Sequence, residues 1–221
     1  MWMKKIIIIF LSIPKTLYLN FRLLSIKQAI KFPILCHYNT KISLKNSKAD
    51  LGGIISPAMI KYGFGGSEGI NVGKNFLLLK DAHIFFGGKA RFMGGFSLKI
   101  NGGKVSFGSN FNINKNGKIF CKNQIDFKNN IMIGWNVTII DHDGHTILGN
   151  PHTGTIRIGS NTWIASEVYI LKNVNLNNGN IVAARSLLTS SISKISEENI
   201  LIGGIPAVKL KEEVEWIDEQ I

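Results

Sequence analysis

Residues Ile158–Leu188, cut every six places, read IGSNTW IASEVY ILKNVN LNNGNI VAARSL L, and every cut opens on Ile, Leu or Val. The fifth places are Thr162, Val168, Val174, Asn180 and Ser186, mostly small or β-branched. A word of six is foreign to a helix, whose apolar stripe returns at three and four, and to the strict alternation of a half-buried strand. It predicts a solenoid in which each hexad is one short strand and a turn. Three hexads then close a coil whose first-place side chains stack on those of the coils above and below.

The register extends upstream. FGSNFN, INKNGK, IFCKNQ and IDFKNN run from Phe107, the frame slips by two at Ile131–Met132, and IGWNVT resumes it at Ile133. VGKNFL, LLKDAH and IFFGGK from Val72 keep it more loosely, and Ile70–Ser106 is expected to carry bulges or open coils. Gly and Asn crowd the corners, which must visit left-handed backbone conformations. From Val72 to Leu188, less an interruption at 141–155, this amounts to about six coils, enough for stability by nearest-neighbour stacking. The second hexad place departs from the usual Gly at Ala165, Leu171 and Asn177, so the C-terminal coils are expected to be less regular.

The chain has 221 residues, of which 45% are hydrophobic, enough for one core without disulfide or metal staples. Cys36 and Cys121 stand far apart in apolar settings with no metal-ligand spacing, so buried, reduced thiols and a cytoplasmic location are expected. A formal charge of +12 predicts affinity for something anionic. Scattered lysines with no aromatic platform or recognition helix argue against nucleic acid. GFGGSEG at 63–69 lacks the strand-to-helix setting of a nucleotide loop, and its glycines are assigned to turns.

Residues 1–50 form an expected helical lead-in, 51–195 the solenoid and 196–221 a last extended segment and a charged amphipathic helix, with Leu210, Val214 and Ile217 packing on a solenoid. MWMKKIIIIFLSIP imitates a signal peptide but lacks a small-residue cleavage site. Its unbroken apolar run, Ile6–Leu11, is far short of the roughly 20 residues needed to span a bilayer. With Lys4, Lys5, Lys15, Arg22, Lys27 and Lys31 among the apolar residues, the segment either packs on its own protein or binds an anionic bilayer surface weakly. The electrostatic part of such binding is on the order of 1 kcal/mol per cation.

The interruption holds TIIDHDGHTI (138–147), with His142 and His145 inside it. A loop that breaks the repeat loses stacking and is usually kept for a function. Histidine suits a general base, because its ordinary pKa of ~6.5 leaves the neutral form available near pH 7. A calcium loop would need further oxygen ligands and a terminal Glu.

The hexads, the block IGSNTWIASEVYILKNVNL, the terminal GGIPAVKLK and the loop DHDGH together resemble the hexapeptide-repeat acyltransferases, and among them the sugar O-acetyltransferases of cell-surface polysaccharides. The resemblance implies an all-β, left-handed parallel β-helix, handedness included, and a homotrimer with sites between subunits. It implies acetyl-CoA as co-substrate with no metal, and a sugar or lipid-linked sugar acceptor. On that match the base is His145, in a D-x-D-x-H form with Asp141 and Asp143, in preference to His142. The resemblance places Trp163, Ala165, Ser166, Ala184, Thr189, Lys209 and Lys211 along the coenzyme groove, with Val208 where an arginine often stands. A non-catalytic β-solenoid scaffold and a γ-carbonic-anhydrase-like metalloenzyme, which would have to draw on His37, His83 and His152, are the alternatives.

Overall fold

The computed structural model describes residues 2–217. Its strands form three sheets of nine, seven and six members, and along the parallel ladders the neighbours are strands three apart in the chain, except the last parallel pair, Ile181–Val182 with Leu201–Gly204, which has one fewer strand between. That spacing is a chain coiling round a triangular prism, one strand per face per turn: a parallel β-helix. The hexad register becomes three inward columns. Ile113, Ile133, Ile164 and Val182 line up on the nine-stranded face. Ile119, Ile139, Ile170 and Leu188 do so on the seven-stranded face, and Phe107, Phe127, Ile158 and Leu176 on the six-stranded one. All are at most 3% exposed. Asn110, Asn130 and Asn161 take positive φ at one corner, and their amides bond from coil to coil. In the C-terminal coils the strands shrink to two residues without breaking the ladders.

The loosely patterned upstream coils are filled by aromatic rings. Phe86, Phe107 and Phe127 stack in register with centroids 5.3 and 5.5 Å apart, and Phe92, Phe96 and Phe111 pack edge-on or tilted beside them.

Three expectations need correcting. The lead-in is helical only to Ala29, and the first coil begins at Ile34–Cys36, followed by Thr40–Lys45 and Lys48–Leu51. These strands pair with the second coil at Ile60–Tyr62, Asn75–Lys80 and His83–Phe86. Six-residue strands and the corner loops 52–59 and 63–74 hide the six-residue word. Second, the apolar N-terminal segment extends well beyond its unbroken run Ile6–Leu11. Helix α1 spans Trp2–Leu23, and its stretch Lys4–Leu23, 20 residues of mean hydropathy 1.5, is long and apolar enough to cross a membrane. Third, among the described residues the repeats are followed by a short 3-10 helix, Ser190–Lys194, and no α-helix forms after it. Ala207–Lys211 is instead a strand that pairs antiparallel with Leu201–Gly204 and covers the last open edge of the nine-stranded sheet, satisfying backbone groups that a helix would leave unpaired. Leu210 and Ile217 are 56% and 86% exposed, so neither packs on the solenoid within one chain; residues 218–221 lie outside the described residues.

The other end is closed by α1. Ser12, Thr16 and Asn20 form one polar stripe, and their side-chain oxygens accept hydrogen bonds from the backbone N–H groups of Tyr38, Cys36 and Ile34 at 3.0, 3.0 and 3.1 Å. The Asn20 amide donates in turn to Ile34 O at 2.7 Å. Four helical residues rise about 6 Å and two strand residues about 6.6 Å, so an i, i+4, i+8 stripe keeps step with alternate groups of the edge strand.

Candidate active site

The inserted loop leaves the strand Thr138–Ile140 at the corner between the seven- and six-stranded faces and rejoins at Thr155–Ile158. Its stem is a short antiparallel ribbon: His142 bridges Thr153, Asp143 N donates to His152 O at 2.9 Å, and Gly154 N donates to Asp141 O at 2.8 Å. Asp141 is fully buried. Its carboxylate accepts 2.8 Å hydrogen bonds from the backbone N–H groups of Lys122 and Asn123, and one from the Cys121 thiol at 3.1 Å. Burial and the neighbouring Asp141 charge push the Cys121 pKa far up, so it stays a thiol that donates.

The same carboxylate meets His142, Oδ1 to Nδ1 at 2.9 Å. A carboxylate only accepts, so Nδ1 carries the proton and the neutral ring presents a bare Nε2. His152 lies beside it, ring centroids 6.2 Å apart, with Lys122 Nζ 3.2 Å from its Nε2. An ammonium only donates, which puts the His152 proton on Nδ1, a buried atom with no partner among the described residues. Asp143 is an anchor: Lys172 pairs with its carboxylate and donates to Pro151 O at 2.6 Å, tying the loop to the next coil. His145 stands on the exposed tip and has no hydrogen-bond partner among the described residues. The structure thus brings Asp141, His142, His152, Lys122 and Cys121 together and leaves His145 outside. From the sequence His152 entered only as a ligand of the metalloenzyme alternative, and Lys122, which falls in no motif, did not enter at all.

The residues expected to line a coenzyme groove divide between two edges and a face. Trp163 projects from the nine-stranded face, which the loop's corner stands opposite. Ala165, Ser166 and Ala184 lie at the corner between the nine- and seven-stranded faces, where Gly134, Ala165 and Ala183 also stack. Space there is tight: a Cβ on Gly134 would come within 2.7 Å of Ser166 N. Thr189 shares the corner of the histidine loop, in a later coil. Lys209 is committed to Glu197 and Glu212, each at 2.7 Å, and these carboxylates raise its pKa well above the usual lysine range. Within one chain the Lys209 ammonium is thus already paired with two exposed carboxylates. Lys211 is exposed.

The tail adds a feature the sequence did not announce. Trp216 donates from Nε1 to Asn161 O at 2.7 Å and lies 6.4 Å from Trp163, ring to ring. Together they border a cleft of about 760 Å³ on the nine-stranded face, whose lining also includes Met132, Lys89 and Arg91. On the six-stranded face His83 pairs with Asp50 at 2.6 Å, away from His152 and His37, and no three metal-ligating side chains converge among the described residues.

Solenoid, repeat and interrupting loop define the class: a parallel β-helix of hexapeptide repeats. No protein-family model matches the chain. Galactoside O-acetyltransferase of Escherichia coli (strain K12) is 29% identical over 116 residues, which cover 50% of this chain and 55% of that protein. Chloramphenicol acetyltransferase of Klebsiella aerogenes is 32% identical over 68 residues, 31% of this chain and 30% of that protein. The chain thus spans about half the length of the first of these curated relatives and less of the second. Among solved structures, the polySia specific acetyltransferase NeuO superposes with a TM-score of 0.52 at 18% identity, covering 81% of this chain and 82% of that one, a likeness of fold. In repeat and fold the chain is thus similar to acetyltransferases built on a parallel β-helix.

Proposed function

We propose that the protein transfers an acetyl group from acetyl-CoA to a hydroxyl of a sugar, as a precursor of a surface polysaccharide would present it. The observation that carries this reading is the Asp141–His142 pair at 2.9 Å. His142 Nε2 takes the proton of the acceptor hydroxyl, and the buried Asp141 carboxylate holds the ring's tautomer and steadies the imidazolium that results. When bound, acetyl-CoA supplies the activated thioester. The small residues Gly134, Ala165 and Ala184 suit the close approach of an extended chain to the backbone, and Trp163 and Lys211 would border it. His142 replaces His145 as the preferred base because, of the two, only His142 is held by a carboxylate among the described residues.

Trp163 and the loop lie on opposite sides of one prism, so a single copy does not offer both to one substrate. The reading therefore includes a homotrimer with three equivalent sites, each taking the loop from one copy and the nine-stranded face from the next. Release of free CoA thiol from acetyl-CoA, followed across a panel of sugars and nucleotide sugars, tests the activity. Turnover with at least one sugar supports it; no thiol release above hydrolysis with any member contradicts it. Mixing His142→Ala and Trp163→Ala proteins tests the shared site: exchange of subunits restores activity if the two residues act from different copies, and restores none if they act from the same one.

A further inference from the structure

Helix α1 is amphipathic in reverse. Its polar stripe, Ser12, Thr16 and Asn20, faces the protein, while Ile6, Ile7, Phe10, Leu11, Leu17 and Phe21 face outward with 47%, 57%, 70%, 49%, 40% and 52% of their surfaces exposed. Soluble helices bury the apolar side. An apolar surface of this extent on a helix already docked by its polar side calls for an apolar covering.

The charges around it identify the covering. No Asp or Glu occurs before Asp50. Lys4 and Lys5 stand at one end of the helix, and Arg22, Lys27 and Lys31 at the other, all exposed. Lys4 and Arg22 are eighteen residues, about five turns, apart and so fall on the same flank of the apolar strip. An apolar face rimmed by cations and free of anions matches the acyl region and headgroups of an anionic bilayer, whereas a second copy of the same helix would bring like charges together.

We propose that α1 is a monotopic anchor lying in the plane of an anionic phospholipid surface, with its apolar face among the acyl chains. The helix lies on the membrane rather than spanning it because Ser12, Lys15, Thr16 and Asn20 are bound to the edge of the first coil, so a spanning helix would carry that coil into the hydrocarbon. The device does two things at once: the polar stripe closes the sheet edge, and the opposite face ties the first coil to the bilayer.

Vesicle flotation of the full chain tests this. The protein should float with phosphatidylglycerol-containing vesicles, float much less with neutral phosphatidylcholine vesicles, and partly detach in high salt. Phe10→Ser should lower partitioning roughly tenfold or more, since the side chain is 70% exposed and its loss leaves the fold untouched. Lys4→Gln with Lys5→Gln should remove preference for the anionic vesicles, and unchanged circular dichroism would certify both proteins as folded. Three results would overturn the proposal: equal flotation with neutral and anionic vesicles, no flotation with Phe10→Cys cross-linking between copies instead, or an N-terminal tag protected from protease inside sealed vesicles, which would mean the helix spans.

Discussion

The stem of the inserted loop, Asp141–Asp143 against His152–Gly154, is held by backbone bonds, a buried carboxylate and an ion pair to the next coil, whereas the tip from Gly144 to Pro151 is exposed throughout. Each segment carries a histidine, and the difference between the two is one of support. His142 has a fixed orientation and a partner that decides which nitrogen is bare; His145 has no such partner among the described residues. A proton acceptor has to be within hydrogen-bond reach of its substrate in the right tautomer, so pre-organisation favours the stem for chemistry. The tip, with Ile147 and Leu148 exposed at 53% and 92%, is shaped for contact with another surface.

The contrast can be broken at several points. His142→Ala should lower kcat by roughly 10²–10⁴ with the affinity for acetyl-CoA nearly unchanged, whereas His145→Ala should cost less than about tenfold; steady-state kinetics with calorimetric binding would check both. If the two results exchange places, the tip of one copy is completing a neighbour's site and the stem is only structural. Asp141→Asn should act on both stability and rate. The carboxamide turns an NH₂ toward one of the groups that now donate to Asp141, leaving a buried donor unpaired at a cost of about 1–3 kcal/mol. It also releases the His142 tautomer, so kcat should fall along with the denaturation midpoint. Lys172→Met removes the tie between Asp143, Pro151 and the next coil. It should destabilise by about 1–2 kcal/mol and raise KM more than it lowers kcat, because the loop loses its anchor while the Asp141–His142 pair remains. Leu148→Ser, at a position 92% exposed, should change stability by no more than about 0.5 kcal/mol in dilute protein. A larger effect that grows with protein concentration would show that the tip is buried between copies.

Much of the architecture was legible because the repeat is a direct image of the coil. Where inward places are Ile, Leu and Val at every sixth residue, as from Ile158 to Leu188, sequence and structure agree in register. The first coils were not legible as hexads: Thr40–Lys45 and Asn75–Lys80 are six-residue strands, and long corners separate them from their neighbours. The N-terminal helix is longer than the unbroken apolar run Ile6–Leu11 suggests, because it carries on through Ser12 and Pro14 to Leu23. At the other end, KLKEEVEWI has helical spacing, yet Ala207–Lys211 pairs as a strand because an open sheet edge lies beside it. For the site, the sequence located the loop by its break in the pattern. Its motif favoured His145, whereas the proposal of His142 rests on a carboxylate whose orientation is set by Lys122 and Asn123, some twenty residues upstream and one coil away.

The account depends most on the position of one proton. Nitrogen-15 shifts of the two imidazoles, recorded on histidine-labelled protein at neutral pH, report it directly. Asp141 requires His142 to carry its proton on Nδ1 with Nε2 bare, and Asp141→Asn to abolish that preference, while His145 shows the averaged signature of an exposed ring. A His142 protonated at Nε2, indifferent to substitution of Asp141, would contradict the assignment of His142 as the base.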